Sequence, residues 1–221
     1  MILRKVNYMA VLPPELQEKL RDEYLEEMVD AAVSMDEDIE NCSFYGETMP
    51  ECTERIEFRG CRFEKCDLRA LTTCHASFVD CVLDHCDLSG AVLEKGAMQR
   101  VHFLGCRLMG VRFSEGTLMN VLFEDCQMDY ASLDKEKVQH VCVSRCTLKE
   151  SMFIECKWSD LVLSDCVLDG SEFARFPLKG MDLSACRFTH LRVDANALRG
   201  LKVTREQAMS LSMLLGLVIA D

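Results

Sequence analysis

Residues 81–95, CVLDH CDLSG AVLEK, contain three five-residue units that decide the fold. Each unit begins with a small apolar residue and carries leucine at its third position. Extending this register from Phe58 to Val203 places a large apolar residue at 29 of 30 third positions, the exception being Thr73. Neither a 3.6-residue helix nor a two-residue strand alternation keeps a period of five over such a length. The pattern therefore predicts a chain that turns a corner every five residues.

A second, longer period shows how many corners close one coil. Ten of the fourteen cysteines occupy the first position of a unit, and seven of them recur at every fourth unit: Cys66, Cys86, Cys106, Cys126, Cys146, Cys166 and Cys186. Four sides then form one coil, and equivalent residues stack. We name the sides after their first residues, Ile56, Cys61, Cys66 and Leu71. Residues 56–203 give about 7.4 coils, or a rod about 36 Å long at about 4.8 Å per coil.

Cys86–Gly90 (CDLSG) and Cys66–Ala70 (CDLRA) resemble the pentapeptide-repeat family, whose consensus is A(D/N)LxG. The resemblance implies an all-β solenoid, a right-handed quadrilateral β-helix. Handedness and the square cross-section come from the resemblance alone, because a repeat period does not determine them.

Residues 1–55 are predicted to form an N-terminal helical cap and a first irregular coil. Residues 15–35 carry apolar side chains at three- and four-residue spacing, which indicates an amphipathic helix with an acidic outer face. Ile39, Phe44 and Met49 indicate a coil in a shifted register, and about four extra residues near Pro50–Glu54 would restore the main one. Whether the helix caps the rod or folds back along a side stays open.

Residues 204–221 are predicted to form a C-terminal helix and tail. Thr204–Gln207 has the form of a capping box, and Gly216 can end the helix. Together with Leu198–Val203, this segment resembles the C-terminus of the quinolone-resistance (Qnr and mycobacterial) branch of the family. In that branch the C-terminal segments pair two rods end to end. The resemblance implies a homodimer with an interface at Leu211, Leu214, Leu215, Leu217, Val218 and Ile219.

The apolar runs and the distribution of charge indicate where the protein is located and which of its surfaces are acidic. No apolar run is long enough for a signal peptide or a membrane span, so we expect reduced thiols, a cytoplasmic location and no membrane partner. The formal charge of −12 divides into −9 for residues 1–55, −2 for residues 56–203 and −1 for the tail. Within the repeats, the Ile56 side carries +2 and the Cys61, Cys66 and Leu71 sides carry −2, −1 and −1.

No catalytic constellation is visible, so we expect no enzyme, no metal and no cofactor. The five histidines, His75, His85, His102, His140 and His190, fall on outward positions of all four sides. Stacked cysteines point in parallel, whereas a metal needs convergent ligands, so we interpret the seven-cysteine column as packing in place of the family's alanine. Cys74 and Cys142 fall on outward positions and are better candidates for reactive thiols.

Glu136 is the sharpest departure from the repeat, because it occupies an inward first position. A buried unpaired carboxylate is costly, so we expect the corner to bulge into a loop that lets Glu136 reach water. A partner-binding role is the alternative.

Two functions are open. The resemblance implies a rod that mimics a DNA duplex and binds DNA gyrase or topoisomerase IV. Such mimicry requires a dense negative surface, which the near-neutral sides do not supply. The alternative is a protein–protein interaction scaffold whose partner is unknown. Direct nucleic-acid binding is disfavoured because no basic patch is evident.

Overall fold

The computed structural model describes residues 11–52, 54–72 and 75–217. Within these ranges the strands pair in parallel, one coil above the next. The strands are β1 Arg21–Asp22, β2 Ile39–Glu40, β3 Cys42–Tyr45, β4 Glu57–Arg59, β5 Arg62–Glu64, β6 Ser77–Asp84, β7 Val92–Glu94, β8 Ala97–Leu104, β9 Arg112–Ser114, β10 Thr117–Glu124, β11 Ser132–Asp134, β12 Lys137–Ser144, β13 Met152–Ile154, β14 Lys157–Ser164, β15 Glu172–Ala174 and β16 Arg192–Val193. Helices α1, Leu25–Met35, and α2, Arg205–Ser212, lie near the two ends.

The predicted four-sided solenoid is confirmed by the pairing register. Thr117 pairs with Lys137 and Lys137 with Lys157, so each residue lies beside its equivalent four units further along the chain. A ten-stranded sheet covers the Ile56 and Cys61 sides, with β6, β8, β10, β12 and β14 running through both. A six-stranded sheet, β7-β9-β11-β13-β15-β16, forms the Leu71 side. On the Cys66 side, single bridges connect successive coils, for example Asp87 with Arg107.

The corners of the solenoid are made by the last residue of each unit. Most of these residues have a positive φ, as at Asp80 (54°), Arg100 (52°) and Gly90 (75°). A left-handed residue turns the chain sharply enough to start the next side. At non-glycine residues this conformation is unfavourable, so the packed core must hold it in place.

The core runs through the inside of the coils. Third-position residues are buried from Phe58 to Phe153 in the described ranges, while Trp158 is half-buried. Phenylalanines stack between coils, with ring centroids 4.8 Å apart for Phe103 and Phe123 and 4.9 Å for Phe153 and Phe173. The four-unit register therefore aligns like side chains in one continuous apolar column.

The expected helix over residues 15–35 begins only at Leu25. Residues 11–20, which we call the strap, are not helical and follow the corner between the Ile56 and Cys61 sides. There the backbone N–H of Leu12 donates to Asn120 Oδ1 (3.3 Å) and that of Glu15 to Asp80 Oδ1 (2.9 Å). The next residues cannot be helical because β1 pairs with β3.

Helix α1 covers the first coil. Its buried face, Leu25, Val29 and Ala32, joins the core of the solenoid. The strap thus folds back along a corner and α1 covers the end of the core, which answers the question that the sequence left open.

The shifted register of the first coil is present, but its origin differs from the expectation. Ile39 pairs with Phe58 and Cys52 with Leu71, so this coil is one residue shorter than the later ones. The missing residue belongs to the side that begins at Cys52, and no extra residues are inserted. In a five-residue repeat, inserting four residues and removing one residue shift the register in the same way. The sequence pattern alone therefore could not distinguish an insertion from a deletion.

Candidate interaction surfaces

The C-terminal end of the rod is closed by α2. Thr204 Oγ1 accepts a hydrogen bond from the backbone N–H of Gln207 (3.2 Å), and Gln207 Oε1 accepts one from the N–H of Thr204 (2.8 Å). The Gln207 amide also donates to the carbonyl oxygens of Leu183 (2.9 Å) and Cys186 (2.8 Å). The capping box therefore begins the helix and also anchors it to the last complete coil.

The outer surface of this end is apolar. Leu214, Leu215 and Leu217 are 39%, 58% and 56% exposed. Leu211 is only 6% exposed and belongs to the core of its own chain. Val218 and Ile219 lie outside the described residues.

Two methionines extend this surface, and sequence reasoning missed them. Met209 lies in α2, and Met213 directly follows the helix as its C-cap with helical backbone angles; both are exposed, and their four-residue spacing places them on one face. Beside them, Leu201, Leu211 and Leu215 line part of an open, mainly apolar groove of about 210 Å³. We call the exposed residues Met209, Met213, Leu214, Leu215 and Leu217, together with this groove, the C-terminal patch.

The sides carry ion pairs between successive coils. Arg100 pairs with Asp80 through two contacts of 2.5 Å, Arg145 with Asp125 at 2.8 Å, and Lys202 with Asp182 at 2.6 Å. The Lys202 ammonium and the Ser184 hydroxyl lower the pKa of Asp182 to about 2. Vertical pairing of this kind neutralises acids that would otherwise make the sides negative.

The cysteine column lies inside the rod, as expected. The thiols of Cys106, Cys126 and Cys166 donate to the carbonyl oxygens of Leu83, Phe103 and Val143 at 3.3–3.4 Å. Each thiol therefore fills the space of a small apolar residue and satisfies a backbone acceptor of the coil below. No cluster of three or more potential metal ligands occurs in the described ranges.

Comparison with known proteins identifies the family. A family model described as a pentapeptide repeat region matches residues 56–133 and 96–173, which together cover more than half of the chain. The chain is a pentapeptide-repeat protein. A comparison with curated protein sequences finds no match.

The solved structure of a pentapeptide-repeat protein, HetL, shares this fold. HetL, a protein involved in heterocyst differentiation regulation in the cyanobacterium Nostoc, superposes with a TM-score of 0.51 at 16% identity, over 68% of this chain and 63% of HetL. A trypsin-treated form of QnrB1, a plasmid-mediated fluoroquinolone resistance protein, matches with a TM-score of 0.36 at 23% identity, over 84% of this chain and 92% of QnrB1. Full-length QnrB1 matches with a TM-score of 0.28 at 18% identity, over 81% of this chain and 98% of QnrB1.

Glu136 departs from the pentapeptide pattern in a way that the sequence reasoning got wrong. The corner does not bulge, because β11 and β12 keep the four-unit register on both sides of Glu136. The residue is only 2% exposed. Its Oε1 accepts a hydrogen bond from the backbone N–H of Gly116 (3.0 Å), whereas Oε2 has no partner. Burial raises the pKa of this carboxyl to about 7.

Two glycines explain how a glutamate fits inside. Gly96 and Gly116 occupy the two first positions below Glu136 in the same column. A Cβ on Gly116 would lie 3.2 Å from Glu136 Oε1 and would overlap the carbonyl oxygen of Gly96. The carboxyl group therefore occupies space that a side chain on Gly116 would take in an ordinary coil.

Cys142 is not the reactive thiol that its outward position suggested. It is 2% exposed, and burial raises its pKa to about 11. It shares an outward column with Val82 and Leu122, which are also buried beside the corner that the strap follows. Part of that face is therefore covered, and outward does not mean exposed there. Cys74 lies outside the described residues.

The histidines are not brought into one site. His85 contacts Asp84 at 2.6 Å and His140 contacts Asp160 at 3.2 Å, each at its own corner. His102 is half-buried, and burial lowers its pKa. No helix among the described residues is long and apolar enough to span a membrane.

Proposed function

We propose that this pentapeptide-repeat protein is a non-catalytic rod that pairs two copies through its C-terminal patch and binds a protein partner along its sides. The exposed apolar surface of the closing helix supports this proposal. The end cap of a solenoid normally needs a polar outer face, because it has no further coil to cover it. Here Met213, Leu215 and Leu217 face outward instead.

A second copy of the chain is the occupant that fits this patch. A two-fold arrangement would place each patch against its equivalent, so apolar surface would meet apolar surface without any other complementary partner. The groove beside Leu201 and Leu215 offers a recess for side chains of the other copy. The described cysteines are all free, which supports a reducing compartment such as the cytoplasm.

The dimer is tested by the mass in solution. We expect the unmodified chain to sediment as a dimer and the double variant Leu214→Glu/Leu217→Glu as a monomer, since two buried charges per copy would oppose association. Met109→Glu is the control for a new charge away from the patch, because Met109 is exposed and apolar but lies on the Cys66 side. A monomeric unmodified chain, or a control that dissociates equally, would contradict the proposal.

A type II topoisomerase is the more specific partner that we propose as a second candidate. It is favoured by the C-terminal module, in which Leu198–Val203, the capping-box helix and Gly216 follow the pattern that resembles the quinolone-resistance branch. The acids on the sides of the rod are largely ion-paired, which weighs against a surface that mimics the uniform negative charge of a DNA duplex. A topoisomerase would therefore have to bind mainly through shape and through local contacts.

Gyrase supercoiling, measured with and without a fluoroquinolone, tests this candidate. Inhibition or drug protection that is lost in Leu214→Glu/Leu217→Glu but kept in Met109→Glu would support a dimeric topoisomerase ligand. No effect up to micromolar concentrations, on gyrases that include the host's own, would exclude it and leave the interaction rod.

A further inference from the structure

The upper half of the Ile56 side carries unbalanced positive charge. Lys137, Lys157, Lys179 and Arg199, which we call the basic patch, are all exposed on this side. In the part of the chain that the structure describes, none of the four forms an ion pair with an acidic side chain. On the Ile56 side of these coils the outward positions contribute one acid, Asp160, and it faces His140.

The lower half of the same side is balanced. Glu57 pairs with Arg55 and Arg59, and Asp80 pairs with Arg100. The net charge of +2 for the Ile56 side includes Glu136, but this residue is inside the rod and does not contribute to the surface charge. The positive excess of the Ile56 side is therefore concentrated in the basic patch.

This arrangement opposes stability. Lys137 and Lys157 are direct partners in the β12–β14 pairing, so their like charges stand one above the other. Like charges directly opposite in a sheet are destabilising. At other places in the rod an acid lies above or below a base, as with Arg175 and Glu155. Four cations without an ion pair, on four consecutive coils of one side, fit a partner that supplies the missing acids.

We propose that the basic patch binds an acidic segment of a partner protein. This inference rests on the proposed interaction rod and names the chemistry of one of its binding surfaces. The patch spans three coil steps, about 14 Å, which a short acidic peptide segment can cover.

A nucleic-acid duplex fits this surface less well. A duplex is wider than a single peptide strand, so its phosphates would also lie near the neighbouring Cys61 side, which carries a net charge of −2. The overall charge of −12 would also repel a long polyanion at low salt.

The chain contains its own reporter for this interaction. Its single tryptophan, Trp158, follows Lys157 on the Ile56 side and is half-buried. The indole Nε1 donates to the carbonyl oxygen of Pro177 (2.6 Å), and the ring stacks on Phe176. A ligand on the basic patch would change the surroundings of this indole, so its fluorescence reports binding directly.

The test is a titration of the full chain with a fluorescently labelled deca-glutamate peptide, at about 50 and about 300 mM salt. We expect saturable binding that shifts Trp158 emission and weakens as salt rises. The triple variant Lys137→Glu/Lys157→Glu/Lys179→Glu should bind roughly tenfold more weakly or worse. The control Arg112→Glu/Lys149→Glu/Arg187→Glu, with the same charge change on other sides, should lose no more than about twofold.

Three results would overturn the inference: no binding of the peptide, equal loss in the two triple variants, or tighter binding of a DNA duplex of equal length. Sedimentation of the same samples separates this failure from a failure of the proposed function. A chain that remains dimeric but ignores the peptide disproves only the role of the basic patch.

Discussion

Replacing Glu136 with glutamine should make the solenoid more stable at about pH 8 but leave its stability unchanged at about pH 4. In the folded chain, burial raises the pKa of Glu136 to about 7, from an ordinary value of 4.5. The unfolded chain releases the proton near pH 4.5, while the folded chain keeps it until about pH 7. Folding therefore becomes less favourable as pH rises through this window, and the loss is complete above it.

The magnitude follows from the size of the shift. A difference of about 2.5 pKa units corresponds to about 3 kcal/mol at 1.36 kcal/mol per unit. Glutamine keeps an oxygen that can accept from the N–H of Gly116 and carries no charge at any pH, so it resembles the protonated acid. The variant should therefore escape a penalty of about 3 kcal/mol above pH 7.

Urea unfolding of both chains between about pH 4 and pH 8.5 measures this difference directly. All other titrating groups are shared, so the difference between the curves isolates Glu136. Glu115→Gln is the matched control, because Glu115 is an exposed carboxyl on a neighbouring corner. Parallel stability curves for Glu136→Gln and the unmodified chain would refute the reasoning, and so would an equal effect in the control.

Further substitutions test the packing of the rod. Gly116→Ala should lower the free energy of unfolding by about 1–3 kcal/mol, because the new Cβ meets Glu136 and the Gly96 carbonyl; an unchanged free energy of unfolding in urea would contradict this. Cys126→Ala should cost about 1 kcal/mol through the lost contact with Phe103 O, as thermal unfolding would show, and an unchanged midpoint would contradict it. Native Cys142 should resist alkylation as mapped by mass spectrometry, whereas rapid labelling would disprove its burial.

The repeat could be predicted from the sequence because one physical requirement acts on each unit. The third residue of a unit must fill the interior, so its apolar character repeats every five residues. The four-unit spacing of the cysteines then set the number of sides, and the register from Thr117 to Lys157 confirms it. Local patterns also identified the capping box at Thr204.

Features that depend on distant segments were not predictable in the same way. The strap has no strong periodic pattern, and its position depends on Asn120 and Asp80, 108 and 65 residues away. The outward position of Cys142 in the repeat likewise did not predict its burial, since the residue is only 2% exposed.

For Glu136, the sequence contained part of the information needed to predict its buried position. The glycines at positions 96 and 116 stand directly below it in the four-unit register and could have indicated space inside the rod. Judging the residue alone favoured a loop, because an isolated buried carboxylate is costly. The structure shows instead that one hydrogen bond and the glycine column accommodate the group in the core.

Small-angle X-ray scattering of the full chain, over a range of concentrations, tests the paired rod most directly. End-to-end pairing predicts a scattering mass of twice 25.1 kDa and an elongated particle. Its repeat region alone would be about 72 Å long, twice that of one rod. A particle of single-chain mass, or a dimer no longer than one rod as in side-by-side packing, would contradict end-to-end pairing through the C-terminal patch.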